Sequence, residues 1–216
     1  MQEAGYLKCI RAVVNTFLHQ LIAVIAVYNI WTPLLNSSSL LSWHVILCSL
    51  GLFPLMAEGM ILFHKDNVYN TGLSEEGIKR NHVIVMVVSV VFICGGVGIE
   101  IARRGAEEHF VSAHAIVGLL CLIILLLATI SGAVTSIIQA LKTDYRPIAL
   151  LIHNILGILS YIFTVASLCT GYFNTPFFFQ SEESKIGATV VSVVICLWSL
   201  VYSFISITNQ IKQMIK

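Results

Sequence analysis

The sequence predicts an all-α membrane protein of six transmembrane helices, and three observations carry that expectation. Of its 216 residues 57% are apolar and 11% charged, with a mean hydropathy of +0.90, whereas charged residues make up about a quarter of an ordinary soluble domain. The few charges gather between apolar runs long enough to cross a bilayer, which takes roughly 20 residues at 1.5 Å rise. Four consecutive apolar segments, from Ser38 to about Tyr172, each carry one histidine near their own start: His44, His82, His114 and His153.

Residues 1–11 are weakly basic, with Lys8 and Arg11, and the first span follows at about 12–31. It is too long for a signal-peptide core and has no small-residue cleavage site after it, so it reads as a retained helix. An uncharged turn from Pro33 to Ser39 leads to the second span, about 40–63. A polar loop, His64 to Asn81, holds Lys65, Asp66, Glu75, Glu76, Lys79 and Arg80. The third span is about 82–102 and the fourth about 110–141, long enough to tilt. Lys142, Asp144, Arg146 and Pro147 mark the next loop, before the fifth span at about 148–173. The aromatic and acidic stretch from Asn174 to Lys185, with Phe177 to Phe179, suits a membrane interface. A sixth span at about 186–207 and a polar tail complete one domain over 1–216.

Six spans put both termini on one side. That side has Lys8, Arg11, Lys65, Lys79, Arg80, Lys142, Arg146, Lys212 and Lys216; the other has Arg103, Arg104 and Lys185. The excess of Lys and Arg on cytoplasmic loops therefore predicts cytoplasmic termini in a multi-pass protein. A net charge of +1 gives no pull toward nucleic acid. Six scattered cysteines with no C-x-x-C spacing argue against a disulfide framework or a zinc site. Asn36-Ser37-Ser38 matches the glycosylation pattern but lies too near the membrane for modification to be expected.

Alternating spans sort the four histidines into two layers, His44 with His114 on the outer side and His82 with His153 on the cytoplasmic side. Two imidazole pairs inside a helical bundle are what two haem irons need. A lone histidine in a span can simply bond to a neighbouring helix. Four at matched depth point to function, because ionisable groups there are costly. The glycines share their phase. Gly118 and Gly157 follow His114 and His153 by one turn, and Gly96, Gly132 and Gly171 return to the histidine faces further along. That would leave room for flat macrocycles. The irons should then lie roughly 20 Å apart. No span carries two histidines about fourteen residues apart, and no dinucleotide fingerprint occurs, so the electron donor must come from outside the chain.

His19 has no partner at matching spacing and reads as a packing residue, while His64 reads as solvated at a cytoplasmic helix end. His109 lies near the outer pair, where it could touch a substrate. Glu58, deep in the second span, could be protonated, paired or a proton site. An alternative reading of the chain is a non-haem, proton-coupled transporter that uses these intramembrane histidines and Glu58.

Several strings resemble the cytochrome b561 family from Ser38 onward: Leu41-Ser42-Trp43-His44, Leu55-Met56-Ala57-Glu58, Gly95-Gly96-Val97-Gly98, and Phe110-Val111-Ser112-Ala113-His114 with Gly118-Leu119. The resemblance implies helices 2–5 bundled around two b-type haems, with His44, His82, His114 and His153 as axial ligands. It implies electron transfer from cytosolic ascorbate to ferric iron or monodehydroascorbate across the membrane. Family ascorbate sites place basic residues before the third-span and fifth-span histidines; here Lys79 and Arg80 precede His82, and Arg146 precedes His153. These cations would gather an anionic donor electrostatically. Sequence leaves open the membrane (endoplasmic reticulum, vesicle or plasma membrane) and the oligomeric state, a homodimer included.

Overall fold

A computed structural model describes residues 2–36, 39–64, 67–175 and 181–215. Seven α-helices and two short irregular helices follow one another, and no strand occurs among the described residues. They make six helices long and apolar enough to cross a membrane. Helix α1 is Gln2–Asn36. The second span combines α2 (Leu40–Leu50), a π turn (Gly51–Met56) and α3 (Ala57–Ile61). A 3-10 turn at Val68–Asn70 precedes α4 (Glu75–Arg104), α5 (Ala113–Ala140), α6 (Arg146–Asn174) and α7 (Glu182–Met214).

The helices outrun the apolar segments that announce them, and capping explains where they begin. Ser39, Ser74, Ser112 and Ser181 each accept a hydrogen bond at 3.1–3.2 Å from the backbone N–H three residues on. Such a cap contributes about 1 kcal/mol. Ser74 therefore starts α4 well before His82 and draws Lys79 and Arg80 into the helix, where Glu75 and Glu76 suit the positive end of its dipole. Ser181 likewise starts α7 ahead of the expected sixth span. Pro147 sits in the first turn of α6, where its missing N–H costs nothing. Pro33 lies inside α1 rather than in a turn. The expected interfacial aromatics Phe177 to Phe179, and Ser37, Ser38, Lys65 and Asp66, fall outside the described residues.

The second span departs most from expectation. Gly51 opens the π turn, Phe53 has non-helical angles (φ −119°, ψ 113°), and the Phe53–Pro54 peptide is cis. Pro54 has no N–H for the helical ladder, so helix α2 ends and α3 begins in a new register. The turn is packed tightly: Leu52, Phe53 and Met56 are essentially inaccessible and belong to the same core as Leu18 and Ile22 of α1 and Leu200 of α7.

Helix α2 lies along α4, and α5 along α6, forming two hairpins. The first is drawn close at two glycines. Ser89 Oγ donates to the Gly51 carbonyl at 2.7 Å, and a Cβ on Gly96 would stand 2.6 Å from Cys48 Sγ and 3.1 Å from the His44 carbonyl oxygen. Helices α1 and α7 pack over the second span, and α7 also over α6. A cavity of about 370 Å³ lies where the hairpins face each other, lined from α2, α4, α5 and α6.

Candidate functional site: two histidine pairs

The fold brings four histidines of four different spans into two pairs. The ring centres of His44 and His114 are 6.2 Å apart with planes at 83°. Those of His82 and His153 are 6.4 Å apart at 84°. A metal ion lies about 2.0–2.1 Å from a ligating imidazole nitrogen, which is itself about 1.1 Å from its ring centre. Two imidazoles in line on one ion therefore have centres about 6.2–6.4 Å apart by the same geometry. Both spacings match.

The second requirement is a bare nitrogen on each ring, and the hydrogen bonds supply it. Nδ1 of His44 donates to the Gly96 carbonyl at 2.9 Å, and Nδ1 of His82 to the Gly59 carbonyl at 2.9 Å. Nδ1 of His114 donates to the Ser167 carbonyl at 2.8 Å, and Nδ1 of His153 to the Ala128 carbonyl at 3.1 Å. A carbonyl can only accept, so each Nδ1 bears a proton, and in the neutral imidazole each Nε2 then keeps its lone pair. Carbonyl partners of this kind orient imidazole ligands and strengthen them as donors.

Each pair offers two donors to an ion. Among the described residues no group of three or more His, Cys, Asp or Glu side chains could hold a metal. An ion between either pair would need its remaining donors from a ligand such as a porphyrin. Gly157 has open space beside it, since a Cβ there would meet nothing within 4 Å, whereas one on Gly118 would press on Ser167 Oγ at 3.3 Å. Gly132 and Gly171 serve differently. A Cβ on Gly132 would stand 2.9 Å from Cε1 of His153, and one on Gly171 3.2 Å from Cε1 of His114. The spacing that returns them to the histidine face thus puts them against the imidazole of the neighbouring helix.

The cavity is lined by His44 and His114 together with Glu100, Arg103, Arg104 and His109. Glu100 takes two hydrogen bonds from Arg103, Nε at 2.7 Å and Nη2 at 2.8 Å, and one from Arg104 Nε at 3.0 Å. The one sequence signal of this cluster is Glu100 at helical spacing from Arg103 and Arg104. His109 donates through Nε2 to the Gly105 carbonyl at 3.1 Å. Phe110 beside it is held at φ 59°, a conformation that costs a residue with a side chain about 1–2 kcal/mol. At the opposite end of the bundle, Lys79, Arg80 and Arg146 are exposed in the opening turns of α4 and α6, ahead of His82 and His153.

Two histidines differ from their expected surroundings. His64 is buried, with Nε2 donating to the Ser199 carbonyl at 3.2 Å and its ring 4.2 Å from Tyr202, because the chain turns in under α7 after Ile61. His19 is partnered after all: Nδ1 lies 2.9 and 2.8 Å from the two carboxylate oxygens of Glu58. All six cysteines are free thiols.

Residues 43–179 match the sequence model of the family described as Eukaryotic cytochrome b561. The chain is also similar to proteins named Transmembrane reductase CYB561D2. It is 31% identical to that of Homo sapiens over 74% of this chain and 71% of the human protein. It is 30% identical to that of Bos taurus over 62% of this chain and 61% of the bovine one. For Mus musculus the identity is 28%, over 65% of this chain and 64% of the murine protein. No solved structure matches the chain.

Proposed function

The chain belongs to the eukaryotic cytochrome b561 family, and from that premise we propose that it is a transmembrane oxidoreductase carrying electrons from cytosolic ascorbate through two haem b groups to ferric iron or monodehydroascorbate. The observation that supports this reading best is the pair of imidazole pairs, each at in-line spacing with its Nδ1 protons tied to carbonyls. In this reading His44 and His114 hold one haem iron, and His82 and His153 the other. Each haem would supply a one-electron iron couple held by two imidazoles, which suits relay rather than oxygen chemistry.

The chain's own residues orient, space and attract. The four carbonyls fix the imidazole tautomers, and Gly157, one turn after His153, leaves open space beside its helix. Lys79, Arg80 and Arg146 attract the ascorbate anion to the end that carries His82 and His153. That end is cytoplasmic, with both termini, by the distribution of Lys and Arg. Arg103, Arg104 and His109 meet the acceptor on the other side, beside His44 and His114. The membrane is an endomembrane or the plasma membrane. The proton-coupled transporter could draw on the contact of Glu58 with His19, but it gives the two matched histidine pairs no role.

The test is a visible spectrum of detergent-purified protein before and after adding ascorbate, with haem quantified per chain. About two b-type haems reduced by ascorbate are expected. Folded protein without haem would overturn the reading. Two haems indifferent to ascorbate would remove the donor and leave the relay.

A further inference from the structure

Three of the four paired histidines donate to carbonyls deep inside long helices: Gly96 in α4, Ser167 in α6 and Ala128 in α5. His82 is the exception. Its acceptor, Gly59, lies in α3, a segment of five residues cut off from α2 by the π turn. So short a helix does not hold its own position in the absence of tertiary contacts.

Glu58, the residue before Gly59, anchors that segment to α1 through its contact with His19. His19 is 8% exposed, and its Nε2 lies 3.2 Å from Oδ1 of Asn15. That same oxygen accepts the backbone N–H of Val68 at 3.2 Å. It can therefore only accept, so Nε2 of His19 carries a proton. With Nε2 engaged by Asn15, Nδ1 is the atom that faces the Glu58 carboxyl group, and the three side chains form one unit. Tyr69 closes it with a ring contact at 4.5 Å to His19. On the far side of α3, helix α4 packs directly on Gly59, where a Cβ would stand 2.7 Å from Met86 Sδ.

We infer that the half-buried His19–Glu58 pair is a positioning unit for His82, tying α3 to α1 so that the Gly59 carbonyl stays on Nδ1 and sets the donor strength of that one imidazole. The inference rests on the reading of His82 as a haem ligand. A hydrogen bond at Nδ1 makes the imidazole a stronger donor, which favours ferric over ferrous iron. Loosening the tie raises the midpoint of the haem held by His82 and His153 and leaves the other where it was.

The experiment is a redox titration of the purified full chain, parent against variants, with the affected component identified as the one lost in His153→Ala. Glu58→Met keeps the volume and removes the acceptor. At an ambient potential near the parental midpoint it is expected to raise the reduced-to-oxidised ratio of that component about threefold or more. Glu58→Gln can donate its side-chain N–H to Nδ1 of His19, whose Nε2 carries the proton, and is expected to stay near the parent. Should Glu58→Met fail to fold, the double variant His19→Leu with Glu58→Met leaves no buried partner unpaired and is expected to show the same selective shift. Unchanged midpoints in folded variants, equal shifts of both components, or Gln behaving as Met would overturn the inference while the two-haem reading stood. A parent protein without haem would instead overturn the reading beneath it.

Discussion

The two histidine layers are built from the same parts and differ in what surrounds them. The His44–His114 layer borders a cavity that also reaches Glu100, Arg103, Arg104 and His109. The Nδ1 acceptors of this layer are rungs of long helices. The His82–His153 layer is not part of that cavity's lining. There His82 relies on a five-residue segment tied to α1, with Phe63 5.0 Å from its ring. A histidine whose acceptor lies in a long helix inherits that helix's stability. One whose acceptor lies in a short segment depends on every tie the segment makes. The first layer has charged and polar side chains beside it, and the second has a short segment beside it.

The largest effects should come from removing a ligand. His44→Ala and His114→Ala should each lower haem from about two per chain to about one, and the double variant should do no more, because loss of either imidazole disables the pair. His82→Ala and His153→Ala should do the same for the other component. Haem quantification with difference spectra checks this, and loss of both haems from any single substitution would break the separation of the layers.

Glycine substitutions come next and should be unequal. The Cβ of Gly132→Ala would meet Cε1 of His153 at 2.9 Å, closer than real Cβ contacts approach, whereas that of Gly171→Ala meets His114 at 3.2 Å. Overpacking of this kind costs about 1–3 kcal/mol. Thermal melts and haem retention should show Gly132→Ala to be the more damaging, and to damage the His82–His153 component.

A smaller, one-sided effect is expected at the cavity. Glu100→Gln removes the carboxylate that engages Arg103 and Arg104. It should speed reduction of an anionic ferric chelate several-fold at low ionic strength, with the gain lost at high salt. Stopped-flow rates with chelates of differing charge test this. Electron entry from the opposite side should not change.

The smallest effect lies outside both layers. Lys142 has φ 52° just past the end of α5, a position where glycine is favoured. Lys142→Gly should raise stability by about 0.5–1 kcal/mol and leave both spectra unaltered. A spectral change would show that the end of α5 communicates with a layer.

Much of this was legible in the sequence because it follows from one-dimensional rules. Six apolar runs imply six helices once backbone groups in lipid must bond among themselves. Histidines recurring once per span fall into two depths because successive spans reverse direction. The phase of Gly132 and Gly171 follows from 3.6 residues per turn, although their contact with imidazole rings does not. The helix starts at Ser74 and Ser181 were open to capping rules but obscured by reliance on apolar content. Gly51 and Pro54 signalled a break in the second span without showing its form.

What the sequence by itself determined, then, is the all-helical membrane class, the residue types at each depth and the family. What only the tertiary structure decided is which atoms meet. The acceptors for His44, His82, His114 and His153 are backbone carbonyls, which every residue has, so no side chain marks Gly59, Gly96, Ala128 or Ser167 for that task. The pairing of His19 with Glu58 joins residues 39 positions apart, through an α3 whose register was reset by the π turn. Helical periodicity extends only as far as a helix is continuous. Beyond the break, position is set by long-range contacts, and these form only once the chain has folded.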